Sequence, residues 1–285
     1  MTHTEPAVSV VIPFGPTYTP VEMLEDAKRS AATQSVPTEI IVVRDPGEHG
    51  PAAARNVGLE RATCRYVAFL DADDLWREKK LSKQLRRMRT TGAGLCLDAP
   101  KMTRDDFVYE LFVGGLNEIM SSVVVDTEQV ETRFDEDLER WEDHLFALEA
   151  STAGVCFTQD TFDVRYHERS LSTTIDDPAL YLRSGKRYVS LVDDRIPEAR
   201  PYVYIFYKHM YFLTGFYHHR RGGYRRALAY FRRSLQIGVS PYPVAGLVGT
   251  PLFLLGSLAL DALRKVGRRV RRFGSSVRGE RPIRD

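Results

Sequence analysis

Two observations predict an α/β fold with a mostly parallel central sheet. Short apolar, β-branched runs alternate with helix-length segments through the first third of the chain, the pattern of parallel strands joined by crossover helices. One of those runs, Tyr66–Leu70, ends in Asp71, Asp73 and Asp74. A strand covered on both faces accounts for the apolar part. It does not account for the acids, which are costly to bury unless paired, hydrogen-bonded or metal-bound. At the C-terminal end of a strand they occupy the usual ligand position of an open α/β sheet. Oxygen ligands of this kind suit a hard divalent cation that keeps contact with substrate phosphates.

The elements follow in order. Val8–Ile12, closed by Pro13, is the first strand, and Phe14–Pro20 is a Gly/Pro-rich loop. Val21–Ser35 is a helix with small or apolar residues at Val21, Leu24, Ala27, Ala31 and Ala32. Glu39–Val43 is the second strand, Ala52–Ala62 a helix, Arg65–Leu70 the third strand and Leu75–Arg89 a basic helix. Leu95–Leu97 is a short strand, and Asp105–Val113 and Ser121–Val125 are further apolar elements. Phe134–Arg140 is an acidic loop, Glu142–Ala150 a helix, and Gly154–Phe157 and Phe162–Tyr166 have strand character. After Ser172 the texture becomes helical, over Pro178–Val192, Tyr202–Tyr217 and Tyr224–Gln236. The last segment carries Ala227, Leu228, Phe231 and Leu235 on one stripe. Gly223-Tyr224-x-x-Ala227-x-x-Tyr230-Phe231 resembles half of a tetratricopeptide hairpin, but one unit makes no solenoid. The expected organisation is a domain over 1–172, a helical appendage over 173–240 and an apolar and basic tail over 241–285.

Composition limits the class. The formal net charge is +2, which gives no general nucleic-acid signal. Cys64, Cys96 and Cys156 are odd in number and lack metal spacing, so a reducing compartment is expected. No basic region with a signal-type apolar run stands at the N-terminus, which makes cytoplasmic the default expectation. Near the other end, Val244–Leu260 is uncharged and Arg264–Asp285 holds nine Lys/Arg against two acids. That pairing suits peripheral attachment to an anionic inner leaflet. The alternative is a packed final helix followed by a basic tail.

A set of ordered motifs resembles the family 2 glycosyltransferases, over roughly residues 7–170. It comprises Val8-Ser9-Val10-Val11-Ile12-Pro13, Glu39-Ile40-Ile41-Val42-Val43-Arg44-Asp45 and Gly50-Pro51-Ala52-Ala53-Ala54-Arg55-Asn56-Val57-Gly58-Leu59. Phe69-Leu70-Asp71-Ala72-Asp73-Asp74, Phe134-Asp135-Glu136, Trp141-Glu142-Asp143 and Tyr166-His167-Glu168-Arg169-Ser170 complete it. An isolated Asp-x-Asp is weak, whereas this order is specific.

The resemblance implies a GT-A type fold that binds nucleotide-diphospho sugars, similar to bacterial polysaccharide-assembly glycosyltransferases. Pro13, Asp45, Arg55, Asn56, Asp71 and Asp73 would form the donor side, with Asp45 meeting the base of a UDP-sugar. Arg44 departs from the family, which often has two acids at this corner. Asp73, with support from Asp71, would hold Mg²⁺ or Mn²⁺ on the donor diphosphate. Asp143 would be the base of an inverting transfer, with Trp141, Glu142 and His144 on the acceptor side. His167 and Arg169 would reach the diphosphate. The acceptor would be a saccharide or a lipid-linked saccharide, and the helical appendage offers a surface for oligomers. For each residue taken alone a plainer role exists: a turn for Asp45, a surface arginine for Arg55, a helix start for Asp74 and Asp143. Two other classes fit the acids, a non-catalytic sugar-nucleotide-binding or assembly protein and a nucleotidyltransferase. The late Glu142-Asp143 element favours glycosyl transfer.

Overall fold

The computed structural model describes residues 7–45, 49–116, 119–165 and 177–238. Its elements are β1 (Val8–Phe14), α1 (Val21–Ala32), β2 (Thr38–Arg44), α2 (Gly50–Arg61), β3 (Tyr66–Phe69) and β4 (Leu75–Trp76). They continue with α3 (Lys80–Thr91), β5 (Leu95–Asp98), α4 (Arg104–Val113), β6 (Val124–Asp126), α5 (Glu142–Ala150), β7 (Val155–Thr158) and β8 (Phe162–Asp163). Helices α6 (Pro178–Arg195), α7 (Val203–Arg220) and α8 (Tyr224–Ile237) follow.

Six strands form one sheet in the order β2-β1-β3-β6-β5-β7. β1 runs parallel to β2 and β3, and β5 parallel to β7. β6 runs antiparallel to both of its neighbours. The expected mostly parallel sheet is therefore present with one reversed strand. Val124 and Val125 are fully covered, and a strand buried on both faces carries no alternation from which direction could be read.

Residues alternate across β1. Val8, Val10 and Ile12 join a core with Leu24, Ala27 and Ala31 of α1. Val11 meets α2 on the other face, where a Cβ on Gly58 would lie 2.1 Å from a Val11 methyl. Glycine at 58 is thus what allows α2 to lie close on the sheet. A triad of aromatic rings then fixes α5 beside the end of β3. Phe146 of α5 stacks on Phe134 with centroids 4.1 Å apart, and Phe69 of β3 meets both edge-on at 5.3 and 5.5 Å. Such pairs each add about 0.5–1.5 kcal/mol beyond the area they bury.

One expected helix starts late. Leu75-Trp76 is a strand, antiparallel to β8, and α3 begins only at Lys80. Buried Trp76 donates from Nε1 to the Ser121 carbonyl at 2.7 Å, an anchor the basic periodicity of Leu75–Arg89 does not reveal. Asp74 therefore does not cap a helix.

The chain divides into two compact units between Met210 and Tyr211. In the second unit, Tyr211–Arg220 of α7 and α8 form a hairpin. A Cβ on Gly215 would lie 2.8 Å from the Phe231 ring, so the two helices touch at a glycine. Among the described residues no helix is long and apolar enough to cross a membrane. Val244–Leu260 and the basic tail lie outside the described residues.

Candidate active site

The C-terminal ends of β1, β2 and β3 lie on one edge of the sheet because the three strands are parallel and adjacent. Pro13 is half-buried near the end of β1, opposite Val43. Asp45 follows β2 directly, and its carboxylate accepts from the Gly50 amide at 2.7 Å and from the His49 amide at 3.4 Å. Its side chain thereby places a negative charge at the N-terminus of α2, where the helix dipole stabilises it.

The loop after β3 holds the acids in a fixed order. Ser121 receives the Asp71 amide on its hydroxyl oxygen at 3.0 Å and donates that hydroxyl to Asp74. The Arg165 amide donates to the other Asp74 oxygen at 3.2 Å. Asp74 is only 4% exposed. Burial, with the Asp71 charge adding to it, pushes its carboxyl up to about 7 against the Ser121 hydrogen bond. Arg165 also donates from Nε to the Asp73 carbonyl at 2.6 Å and pairs with Asp26 at 3.1 Å. Asp71 and Asp73 themselves stay half-buried.

Arg55 connects this loop to a distant one. From α2, one terminal nitrogen donates to Asp71 at 2.8 Å and the other to Glu142 at 3.2 Å. Its side chain is 6% exposed and lies 5.5 Å from the Phe134 ring centroid. Burial would lower the guanidinium pKa, but Asp71 and Glu142 outweigh it and hold it above its usual value. Next along α2, Asn56 donates to the Phe134 carbonyl at 2.9 Å and to Glu136 at 2.8 Å, and accepts from the Phe134 amide at 2.9 Å. The amide of Asn56 thus pins the 134–136 segment.

That segment leads to Trp141, which enters α5 with φ 66°, a left-handed conformation uncommon for a bulky residue. Its ring is held edge-on by Tyr181 at 5.0 Å and Phe206 at 5.1 Å. Glu142 and Asp143 occupy the first turn of α5. Burial and the adjacent Asp143 charge push the Glu142 carboxyl up to about 7, with Arg55 opposing. Asp143 is half-buried, and one of its oxygens accepts from the His144 amide at 2.8 Å. A carboxylate has about four lone-pair sites, so this bond leaves capacity to accept a proton.

Among the described residues, four buried side-chain polar atoms find no protein partner, and three belong to Arg55 Nε, His144 Nδ1 and the Tyr188 hydroxyl. Arg55 touches Glu142 and His144 follows Asp143. Burial, with the Asp143 charge adding, raises the Tyr188 hydroxyl above its usual pKa. Buried polar atoms are nearly always satisfied, so their gathering around Glu142–Asp143 marks this place. Ser121, Arg165 and Tyr188 were not singled out by the sequence. Ser121 lay inside an apolar run and Tyr188 inside an amphipathic helix, and neither spacing signals a site. Arg165 immediately precedes the closing motif at Tyr166, which is the one hint it offered. His167 and Arg169 lie outside the described residues.

Magnesium-type cations are held by one or two carboxylates together with substrate phosphates and waters. Asp71 and Asp73 offer that number, and among the described residues no group of three or more His, Cys, Asp or Glu is placed for an all-protein site. The donor set fits a cation that substrate phosphates would complete.

Comparison with known proteins agrees with this fold. The family described as glycosyl transferase family 2 matches residues 17–113. Over that stretch the chain has the sequence of a family 2 glycosyl transferase. The chain is 33% identical over 173 residues to Bacillus subtilis TuaG, a glycosyltransferase named for teichuronic acid biosynthesis, covering 45% of this chain and 66% of that one. It is 43% identical over 53 residues to Escherichia coli WfaP, a UDP-Glc:alpha-D-GlcNAc-diphosphoundecaprenol beta-1,3-glucosyltransferase, covering 19% and 21%. The chain thus spans less than two thirds of the length of either relative. Its fold is similar to Staphylococcus aureus TarS in complex with UDP-GlcNAc, with TM-score 0.57, 15% identity and coverage of 86% and 89%. It is also similar to the Pyrobaculum calidifontis mannosyltransferase PcManGT with GDP-Man and Mn²⁺, with TM-score 0.53, 16% identity and coverage of 88% and 81%.

Proposed function

We propose that the protein is an inverting glycosyltransferase that moves a sugar from a nucleotide-diphospho sugar to a hydroxyl of a saccharide or lipid-linked acceptor, in bacterial surface polysaccharide or glycoconjugate synthesis. The observation that carries this reading is the double contact of Arg55. It ties Asp71, after β3, to Glu142, the neighbour of Asp143, at 2.8 and 3.2 Å. Two sets of carboxylates far apart in sequence are therefore neighbours in space, as a displacement between a donor and an acceptor requires.

Asp73 and Asp71 are the residues that would hold Mg²⁺ or Mn²⁺, which when bound offsets charge on the departing diphosphate. Asp143 accepts the proton of the attacking hydroxyl. Glu142, anchored by Arg55, sets the position of the α5 first turn. The partnerless Tyr188 hydroxyl and His144 Nδ1 face the same neighbourhood in charge terms and suit a polar acceptor. Asp45 stands where a nucleotide base would follow β2, and a UDP-sugar is the favoured donor because the named donors of WfaP and of the TarS complex are UDP-sugars.

Purified protein is incubated with a panel of UDP- and GDP-sugars, Mn²⁺ and acceptor, and the product linkage is determined. Asp143→Asn is expected to lower turnover by about 10²–10⁴-fold, the usual contribution of a general base. Normal turnover in that variant, or a product that retains the donor's anomeric configuration, contradicts the assignment.

A further inference from the structure

Charge in this protein is segregated. Tyr211–Asp285 carries 15 basic and 3 acidic residues, a formal +12, while Met1–Met210 carries 25 and 35, a formal −10. From Ala199 to Leu260 there are 62 consecutive residues without a carboxylate and with eight Lys/Arg. Part of this stretch is the α7–α8 hairpin, whose surface the structure defines.

Helix α8 has two faces. Ala227, Phe231 and Ser234 are buried, and Phe231 packs on α7 with its ring centroid 6.0 Å from that of Phe212. Arg225, Arg226, Arg232 and Arg233 are exposed together. Their spacing of seven residues between pairs places them on one face. Arg220 and Arg221, at the turn, are exposed as well. The Arg233 guanidinium lies 5.4 Å from the Tyr230 ring centroid, and His218 stacks on the same ring at 5.4 Å. With no acid in this part of the sequence, the arginine face has no carboxylate of its own hairpin to answer it.

We propose that this arginine face is a docking surface for a bilayer rich in anionic lipid. Charge complementarity selects an anionic partner. Two further features select a membrane over a polynucleotide. Tyrosines 211, 224 and 230 are interleaved with the arginines, the residue type favoured at bilayer interfaces. The sequence then runs from α8 into the uncharged Val244–Leu260, an apolar complement to basic attraction. The proposal is independent of the glycosyl-transfer reading, because it concerns residues outside the site.

The test uses the full-length protein and co-sedimentation with two kinds of vesicle, phosphatidylcholine alone and an equimolar mixture with phosphatidylglycerol. Wild type is expected to bind the mixed vesicles, to ignore phosphatidylcholine and to lose binding as salt rises. The combined change of Arg225, Arg226, Arg232 and Arg233 to Gln should lower the partition coefficient about 100- to 1,000-fold, while donor binding in solution is unchanged. Changing the same four to Lys should keep vesicle binding, since charge is what acts, and this set keeps the test decisive if the Gln set does not fold. Wild-type-like partition of the Gln variant overturns the proposal. So does retention on an RNA homopolymer without binding to the mixed vesicles.

Discussion

The acids after β3 and the acids opening α5 are chemically alike and differently housed. Asp71 and Asp73 are half-buried in a loop whose backbone is held by Ser121 and Arg165. Glu142 is more deeply placed, with a side chain 14% exposed, in the first turn of a helix. The first set can present oxygens to a cation and phosphates. In the second set burial pushes the Glu142 carboxyl up to about 7, as it does for Asp74 behind the first set, while Asp143 opens the helix half-buried. Housing rather than residue type thus distinguishes the two sets, and among the described residues Arg55 is the side chain that touches both.

Removing that link is the strongest way to break the comparison. Arg55→Met leaves Asp71 and Glu142 without their shared cation, and breaking a buried ion pair from one side costs about 3–5 kcal/mol. Chemical denaturation should show this loss, and turnover should fall in any folded fraction. A loss within 1 kcal/mol would mean that the bridge contributes no more than a surface pair. Gly58→Ala tests the scaffold beneath both sets. With a Cβ placed 2.1 Å from Val11, overpacking should cost about 1–3 kcal/mol, read as a lower thermal midpoint.

The buried pair predicts a pH dependence of stability. The Glu142 carboxyl is raised in the folded state, so the folded protein binds its proton more tightly than the unfolded chain does. Its contribution is fully present below the ordinary carboxylate range and is lost as pH rises through about 7. Between pH 4.5 and 7.5 the wild type should lose about 3 kcal/mol through this group, and Glu142→Gln should flatten that part of the curve. Equal slopes in the two proteins would remove Glu142 as the source. Lys80 provides a control of opposite sign. It is 1% exposed beneath Trp76, and burial lowers its amine to about 7. Its contribution to stability should therefore rise from pH 7 upward, and Lys80→Met should remove that rise.

Much of this arrangement was legible in the chain because it is local. Val8–Ile12 and Glu39–Val43 announce strands by composition, and Glu142–Ala150 matches α5 residue for residue. The acids after Leu70 stood out because an apolar run cannot explain them. What was hidden depends on pairing between distant segments. Nothing near Val124 says that β6 runs backwards, and nothing near Leu75 says that Trp76 will donate to Ser121. Arg55 was expected to reach the donor, whereas both terminal nitrogens of its guanidinium are bonded to Asp71 and Glu142. Asn56 was expected at the donor and holds Phe134 and Glu136. Both side chains act across more than fifteen residues, beyond any spacing rule.

The most direct test of the difference between the two acid sets is donor affinity in the presence of Mn²⁺, measured by calorimetry for Asp73→Asn and Asp143→Asn side by side. Asp73→Asn should weaken binding of the nucleotide sugar at least tenfold, about 1.4 kcal/mol, and Asp143→Asn should leave it within twofold of wild type. Equal weakening in both variants, or weakening in Asp143→Asn alone, would contradict the division of the site into a donor-holding set and a proton-accepting set.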